Sequence, residues 1–383
     1  MDLARWIRPG DGVLFGQACA EPQTLVELLV GQRERFPGAT LFMGVNWSGT
    51  VRPEHADHLR LQAYCGSGHN RRLADAGLLD IHPHPYSRLG ALIRERRIRA
   101  DVVLLQLSPP NAKGEYSLGL AAEYLVPALQ TCRAIVAEVN DRVPWTHSER
   151  RLMRGDLAAV VETSREPVAL PYGEPGALEQ AIARNALAFI PDGAVIETGL
   201  GALPDAVLRQ LGDRRNLRLH SGSVGDGVVG LMDCGAMLEA DGGNLMGTRR
   251  LFEHARENPA LRLRSSEYTH DPRVLGRLER FVAINSAVEV DLTGQVNAEV
   301  ARGSYLGAVG GALDFVRAAN HSPGGVSLML IPAGRIVETL QGPVATPRSE
   351  AGVIVTERGA ADLRGLTLRE RAERLRALAS GSS

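Results

Sequence analysis

An α/β architecture of two tandem open-sheet domains is the fold class this sequence predicts, and three observations predict it. Short, wholly apolar runs alternate with segments of 3.6-residue periodicity, the pattern of parallel strands covered by helices. At 383 residues the chain exceeds what one hydrophobic core normally holds. A stretch rich in proline and glycine, Ser164 to Ala177 (SREPVALPYGEPGA), separates two such alternating blocks.

The elements follow in order. PQTLVELLVGQRERF, Pro22 to Phe36, carries helical spacing with proline in its first turn. VLLQL (Val103 to Leu107) and AIVAEV (Ala134 to Val139) have the length and apolar continuity of strands buried on both faces. The boundary falls near Tyr172 to Gly176, giving domains 1–174 and 175–383. Beyond it ALEQAIARNALAFI (Ala177 to Ile190) is helical, AVIETG (Ala194 to Gly199) is a strand, and PDAVLRQL (Pro204 to Leu211) is a helix opened by proline. VSLMLIP (Val326 to Pro332) and GVIVTE (Gly352 to Glu357) complete the strand set.

Composition excludes several function classes. A formal net charge of −1 gives no electrostatic basis for binding nucleic acid or an anionic membrane. Lys113 is the sole lysine, and the dispersed arginines fit base composition better than a phosphate-binding design. No apolar run reaches the length of a membrane span, and MDLARWIRPGDG lacks the features of a signal peptide, so a cytoplasmic protein is expected. Cys19, Cys65, Cys132 and Cys234 form no CxxC pair, and neither a zinc site nor a disulfide framework is expected. His69, His147 and His220 have no metal-ligand spacing with their neighbours.

Two glycine clusters stand out. Gly199-Leu200-Gly201 follows a strand and precedes a helix, the place where open α/β sheets bind ligands. Backbone N–H groups there can approach an oxygen closely, though a plain tight turn explains the glycines equally. Gly307-Ala308-Val309-Gly310-Gly311 opens a second helix with Asp314 in its first turn, suited either to an anion or, for Asp314, to stabilising the helix dipole. TGLGALPDA lacks the third glycine of a dinucleotide fingerprint, and no acid ends the next strand, which finishes at His220.

Seven ordered segments carry a resemblance. GDGVLFGQACAEPQTLVELL (Gly10 to Leu29), SPPNAKGEYSLG (Ser108 to Gly119), AEVNDRVPWTHSE (Ala137 to Glu149), IETGLGALPDAV (Ile196 to Val207), VDLTGQVNAE (Val290 to Glu299), GAVGGALDFVRAA (Gly307 to Ala319) and VIVTERGAADLRG (Val353 to Gly365) resemble, in sequence order, the acetyl-CoA hydrolase/transferase family. The resemblance implies two related open-sheet domains with the active site in the cleft between them. It implies CoA or acyl recognition by Gly307, Gly310, Gly311, Asp314 and Phe315, and an oxyanion turn at Gly199, Leu200 and Gly201. CoA or a short-chain acyl-CoA enters as substrate, with no tightly bound cofactor and no metal, and a homodimer is the expected assembly.

The family's nucleophile is the glutamate of a His-Ser-Glu that ends the second strand of the C-terminal domain. In Leu219 to Leu231, LHSGSVGDGVVGL, that position is Gly222. The glutamate attacks the thioester and passes through an enzyme-bound glutamyl thioester, which glycine cannot form. Glu197, where the family usually carries glutamine, is the first candidate for a relocated carboxylate; a strand-end acid paired with an arginine is the alternative. Glu21 matches a glutamate the family shares and does not by itself compensate. Asp226, in GDG, reads as a loop or substrate-positioning acid, and His220 as a hydrogen-bonded residue or a base. The loop ADGGNL, Ala240 to Leu245, and the chain end at RALASGSS are both short against relatives, leaving acyl and acceptor preference open.

Two function classes follow: a CoA-transferase or acyl-CoA hydrolase working without that glutamate, or a non-catalytic CoA-binding protein that has lost it.

Overall fold

In the computed structural model, residues 1–171 and 173–381 are described; Tyr172, at the head of the expected boundary, and Ser382 and Ser383 lie outside them. Two compact units form. One comprises Met1–Leu170, Gly242–Tyr268 and Ser304–Ala308; the other comprises Pro171–Asp241, Thr269–Gly303 and Val309–Ser383.

The first unit is built on a seven-stranded sheet in the order Ala159–Thr163, Ala134–Asn140, Val102–Leu107, Gly12–Phe15, Ala39–Met43, Leu59–Ala63 and Leu79–Ile81. Every pairing in it is parallel. Parallel strands covered on both faces need apolar side chains on both, and Val102–Leu107 is buried at every position. The amphipathic helix Gln23–Gly31 packs Leu25, Val26 and Leu29 into a core shared with Val13, Leu41, Leu61 and Leu104. The helical spacing expected to Phe36 ends at Gly31 and gives way to a 3₁₀ turn, Arg33–Arg35.

The second unit places Gly359–Asp362, Val353–Thr356, Val326–Leu330, Phe281–Ser286, Val195–Thr198, Leu217–Val224 and Met237–Leu245 side by side in that order. Phe281–Ser286 lies parallel to both Val195–Thr198 and Val326–Leu330, and Gly359–Asp362 runs antiparallel to Val353–Thr356. The helix Ala312–His321 covers one face, burying Phe315 and Ala319 against Val195, Phe281 and Ala283. A smaller sheet of Val296–Asn297, Glu289–Asp291 and Ile336–Val337 adjoins a second core, in which Leu375 and Leu378 of the C-terminal helix Leu368–Ser380 are buried.

Three local expectations are corrected. The strand expected to finish at His220 runs on to Val224. Its polar residues are accommodated because the Ser221 hydroxyl donates to the Thr198 carbonyl at 3.1 Å, and Met237–Leu245 lies alongside. ADGGNL is not a loop but the end of that neighbouring strand. Its backbone is engaged by Arg264 N–H at the Gly242 carbonyl (2.8 Å), by Ala122 N–H at the Gly243 carbonyl (2.9 Å), and by Leu245 N–H at the Leu120 carbonyl (2.8 Å). Asp226 begins a helix, Asp226–Asp233, rather than sitting in a loop. Among the described residues no helix is long and apolar enough to cross a membrane.

Candidate active site

One face of the second sheet gathers Glu197, His220 and Gly222 from among the residues singled out in the sequence. Val195 pairs with Arg218 and Ile196 with Leu219, while Glu197 pairs with Ala283 and Thr198 with Ile284. Side chains alternate along a strand, so Glu197, His220, Gly222 and Asn285 share the face on which Val195 and Phe281 meet Phe315 of the helix Ala312–His321.

Glu197 is 2% exposed, and its Oε2 accepts a hydrogen bond from Asn285 Nδ2 at 2.8 Å. Burial raises its pKa to about 8; the hydrogen bonds from Asn285 and the Ile284 backbone oppose the shift but do not cancel it. At neutral pH this carboxyl therefore keeps its proton and can donate a hydrogen bond as well as accept one.

His220 is buried, and its Nε2–H donates to the Thr269 carbonyl at 2.9 Å. That bond pins the segment carrying His270, a residue that pattern reading did not single out. The His270 ring is buried against Phe315 with centroids 4.5 Å apart, and its Nδ1 lies 2.8 Å from Thr269 Oγ1. Burial, with a smaller contribution from nearby His220, pushes the His270 pKa down to about 3, so the imidazole is neutral.

Two glycines make room for this ring. A Cβ on Gly222 would stand 3.3 Å from His270 Cε1 and 3.4 Å from Nε2, and one on Gly311 would stand 2.3 Å from Nε2. Neither glycine is demanded by its backbone: Gly222 lies mid-strand and is absent from the positive-φ residues, and Gly311 has φ −93° and ψ −8°. The glycine spacing was visible in the sequence; the histidine 48 positions downstream that explains it was not.

The turn after Val195–Thr198 is more constrained than its sequence suggested. Gly199 N–H is committed to the Ile284 carbonyl at 2.8 Å, and a Cβ there would press on Asn285 Oδ1 at 2.8 Å. Leu200 is exposed, and Gly201 caps the helix Ala202–Leu208 with φ 130°, a conformation that needs glycine. Gly310 also has positive φ (57°), and Asp314 lies in the first turn of the helix it precedes. Gly307 belongs to the first unit, where its carbonyl accepts from Gly66 N–H at 2.8 Å. Asp226 occupies the first position of its helix, where an acid is favoured by the dipole.

The first unit also buries two carboxyls whose pKa values are raised, Glu21 and Glu123. Glu21 is 1% exposed, accepts from Ser48 Oγ at 2.7 Å, and is raised to about 7 by burial. Glu123 Oε2 accepts from Gln17 Nε2 and Tyr86 Oη at 2.7 Å each and from Asn244 Nδ2 at 2.5 Å, and burial raises this group also to about 7. His147, in the same unit, donates from Nε2 to the Glu257 carbonyl at 3.3 Å. No group of three or more histidine, cysteine or acidic residues suited to a metal ion occurs among the described residues.

Residues 247–382 match the model of the acetyl-CoA hydrolase/transferase C-terminal domain. A 4-hydroxybutyrate coenzyme A transferase of Clostridium kluyveri is 34% identical over 95% of this chain and 89% of its own length. An acetyl-CoA hydrolase of Kluyveromyces lactis is 30% identical over 57% of this chain and 46% of its own. Among solved structures, RipA from Yersinia pestis superposes with a TM-score of 0.92 at 27% identity, covering 98% of this chain and 92% of that one. A 4-hydroxybutyrate CoA-transferase from Porphyromonas gingivalis superposes with a TM-score of 0.82 at 29% identity, with the same coverage. With this sheet topology and relatives spanning nearly its whole length, the chain belongs to the acetyl-CoA hydrolase/transferase family.

Proposed function

We propose that this protein acts on the thioester carbonyl of a short-chain acyl-CoA, passing CoA to an acceptor carboxylate or the acyl group to water. The observation that carries the reading is the single sheet face on which a neutral carboxyl, Glu197, lies with Gly222 beside a buried neutral imidazole and a glycine-capped helix start. The named activities of the relatives, CoA transfer and acetyl-CoA hydrolysis, support the same chemistry.

In this reading Glu197 donates a hydrogen bond to the thioester oxygen, so that negative charge developing there is met by a preorganised donor. His220 acts through its hold on Thr269, and Asp226 orients the loop before its helix. Gly199, Leu200 and Gly201, with Gly307, Gly310, Gly311 and Asp314, receive CoA, which enters as a substrate and not as a resident cofactor. The cytoplasm is the compartment we assign, in keeping with four cysteines that form no disulfide, and a homodimer the assembly.

Calorimetry with CoA, acetyl-CoA and NAD tests the reading. CoA and acetyl-CoA should bind and NAD should not, and Gly310→Trp should abolish binding, since it puts a bulky side chain on a positive-φ position beside the helix start. Binding of NAD without CoA would exclude a CoA enzyme. CoA binding with no turnover of any short acyl-CoA would favour a binding protein.

A further inference from the structure

We propose that Gly66 and Ser67 position the glycine run Gly307–Gly311, and that residue 66, remote in sequence from that run, thereby sets the affinity for CoA. The proposal rests on the acyl-CoA reading above, in which that run receives the substrate, and adds two positioning residues to it.

The contact lies within the first unit, to which both Gly66 and the segment Ser304–Ala308 belong. Gly66 N–H donates to the Gly307 carbonyl at 2.8 Å, and Ser67 Oγ donates to the Leu306 carbonyl at 3.3 Å. Two successive carbonyls of the segment are thus held by two successive residues of the loop that follows the strand Leu59–Ala63. The approach is close enough to exclude a side chain. A Cβ on Gly66 would stand 2.2 Å from the Tyr305 carbonyl oxygen and 2.8 Å from Tyr305 Cδ1. Gly66 is not among the positive-φ residues, so its own backbone does not call for glycine. The segment laid across it does.

The loop is not free to give way instead. Asn70, fully buried, donates from Nδ2 to the Gly44 carbonyl at 2.7 Å and to the Cys65 carbonyl at 3.1 Å. His69 N–H donates to the Asn46 carbonyl at 2.7 Å, and Gly68 has φ 67° with that same carbonyl oxygen 2.5 Å from where its Cβ would be. Gly66 is therefore braced by the chain that continues the neighbouring strand Ala39–Met43, and a residue supported in this way holds its partner within a narrow range. Only Ala308, Val309 and Gly310 stand between Gly307 and Gly311, the cap of the helix Ala312–His321. So short a link carries a displacement of Gly307 into the helix start. Alanine at 66 must push the Tyr305 carbonyl back by about 1 Å to reach ordinary contact, and a misplacement of that size can cost about a hundredfold where a substrate is oriented.

Calorimetry with CoA and steady-state kinetics on Gly66→Ala test the proposal, beside amide hydrogen exchange on the wild type. Gly66→Ala should bind CoA about tenfold or more weakly and raise KM for acetyl-CoA in proportion, with kcat and the acceptor's KM within about threefold of wild type. Ser67→Ala, which removes the longer of the two bonds and adds no bulk, should weaken CoA binding by about two- to threefold at an unchanged melting temperature. Residues that only held the fold together would show the opposite pattern: a lower melting temperature and kcat in Gly66→Ala, with Kd and KM untouched. That pattern overturns the proposal. In the wild type, CoA should slow exchange in peptides carrying residues 66–68 and 304–308 as well as 309–321, a result that does not depend on any variant folding. Protection confined to 309–321 overturns the proposal, as does a Gly66→Ala protein that binds CoA as the wild type does; either leaves the acyl-CoA reading standing. A wild type that binds no CoA overturns that reading, and the positioning role with it.

Discussion

At position 222 a Cβ would stand 3.3 Å from Cε1 of His270, closer than ordinary van der Waals contact, so glycine there and imidazole at 270 are a single choice. Gly222→Glu, the change that would bring in the family's carboxylate, therefore meets an occupied space rather than a strained backbone. Overpacking of this kind costs about 1–3 kcal/mol, and Gly222→Glu should melt several degrees below wild type and gain no transferase activity. Emptying the space changes the outcome. Gly222→Glu with His270→Ala should recover the lost melting temperature, and borohydride trapping during turnover should then find a glutamyl thioester at residue 222. A single Gly222→Glu protein as stable as wild type would show that the ring does not crowd this position.

The strand Val195–Thr198 and its neighbours show what the sequence made legible at the level of elements. Apolar runs such as Val103 to Leu107 and Val326 to Pro332 announced strands because burial on both faces leaves no room for polar residues, and the structure has strands at Val102–Leu107 and Val326–Leu330. His-Ser-Gly and Ala-Asp-Gly-Gly-Asn gave no such sign. They are strands because tertiary partners, Ser221 Oγ at Thr198 and the backbones of Leu120, Ala122 and Arg264, supply what local pattern lacks. Glu197 was singled out as an acid where the family usually carries glutamine, whereas the Asn285 bond that orients it depends on a strand 88 residues away. That bond also decides how Glu197 works. A carboxyl held near pH 8 serves as a donor, so Glu197→Gln, which keeps a donor, should stay within tenfold of wild type, whereas Glu197→Leu should lose about 10²–10³ in kcat. Wild-type activity should fall as pH rises through about 8, and the Gln variant should not follow it. Complete loss of activity in Glu197→Gln would instead mark an ionised carboxylate as the working form.

At the scale of the whole molecule, Glu21 and Glu123 in the first unit, each raised to about 7, and Glu197 in the second, raised to about 8, are buried carboxyls among the described residues. Desolvation is the leading cause in all three, and it disfavours the charged form. The consequence for stability has a definite sign. Below the ordinary glutamate value near 4.5 these groups are protonated in folded and unfolded chains alike. Above it the unfolded chain releases protons that the folded chain retains, so stability is lost progressively as pH rises from about 4.5 to about 8. Surface acids of the opposite kind do not mask this trend. Asp57, lowered to about 2 by its hydrogen bond to Arg33, weakens the fold only under more acid conditions. Urea unfolding at intervals from pH 6.5 to 8.5 should therefore give a free energy that declines with pH; below about 6.5 the buried His270, lowered to about 3, opposes the decline, because the unfolded chain takes up a proton that the folded ring refuses. Glu123→Gln is the sharpest check, because an amide oxygen can still accept from Gln17, Tyr86 and Asn244 while nothing remains to titrate. Its unfolding free energy should decline less steeply than that of wild type between pH 5 and 7, with the two slopes converging above pH 7. A Glu123→Gln protein whose unfolding free energy keeps the wild-type pH dependence over this interval would mean that Glu123 is ionised in the folded chain.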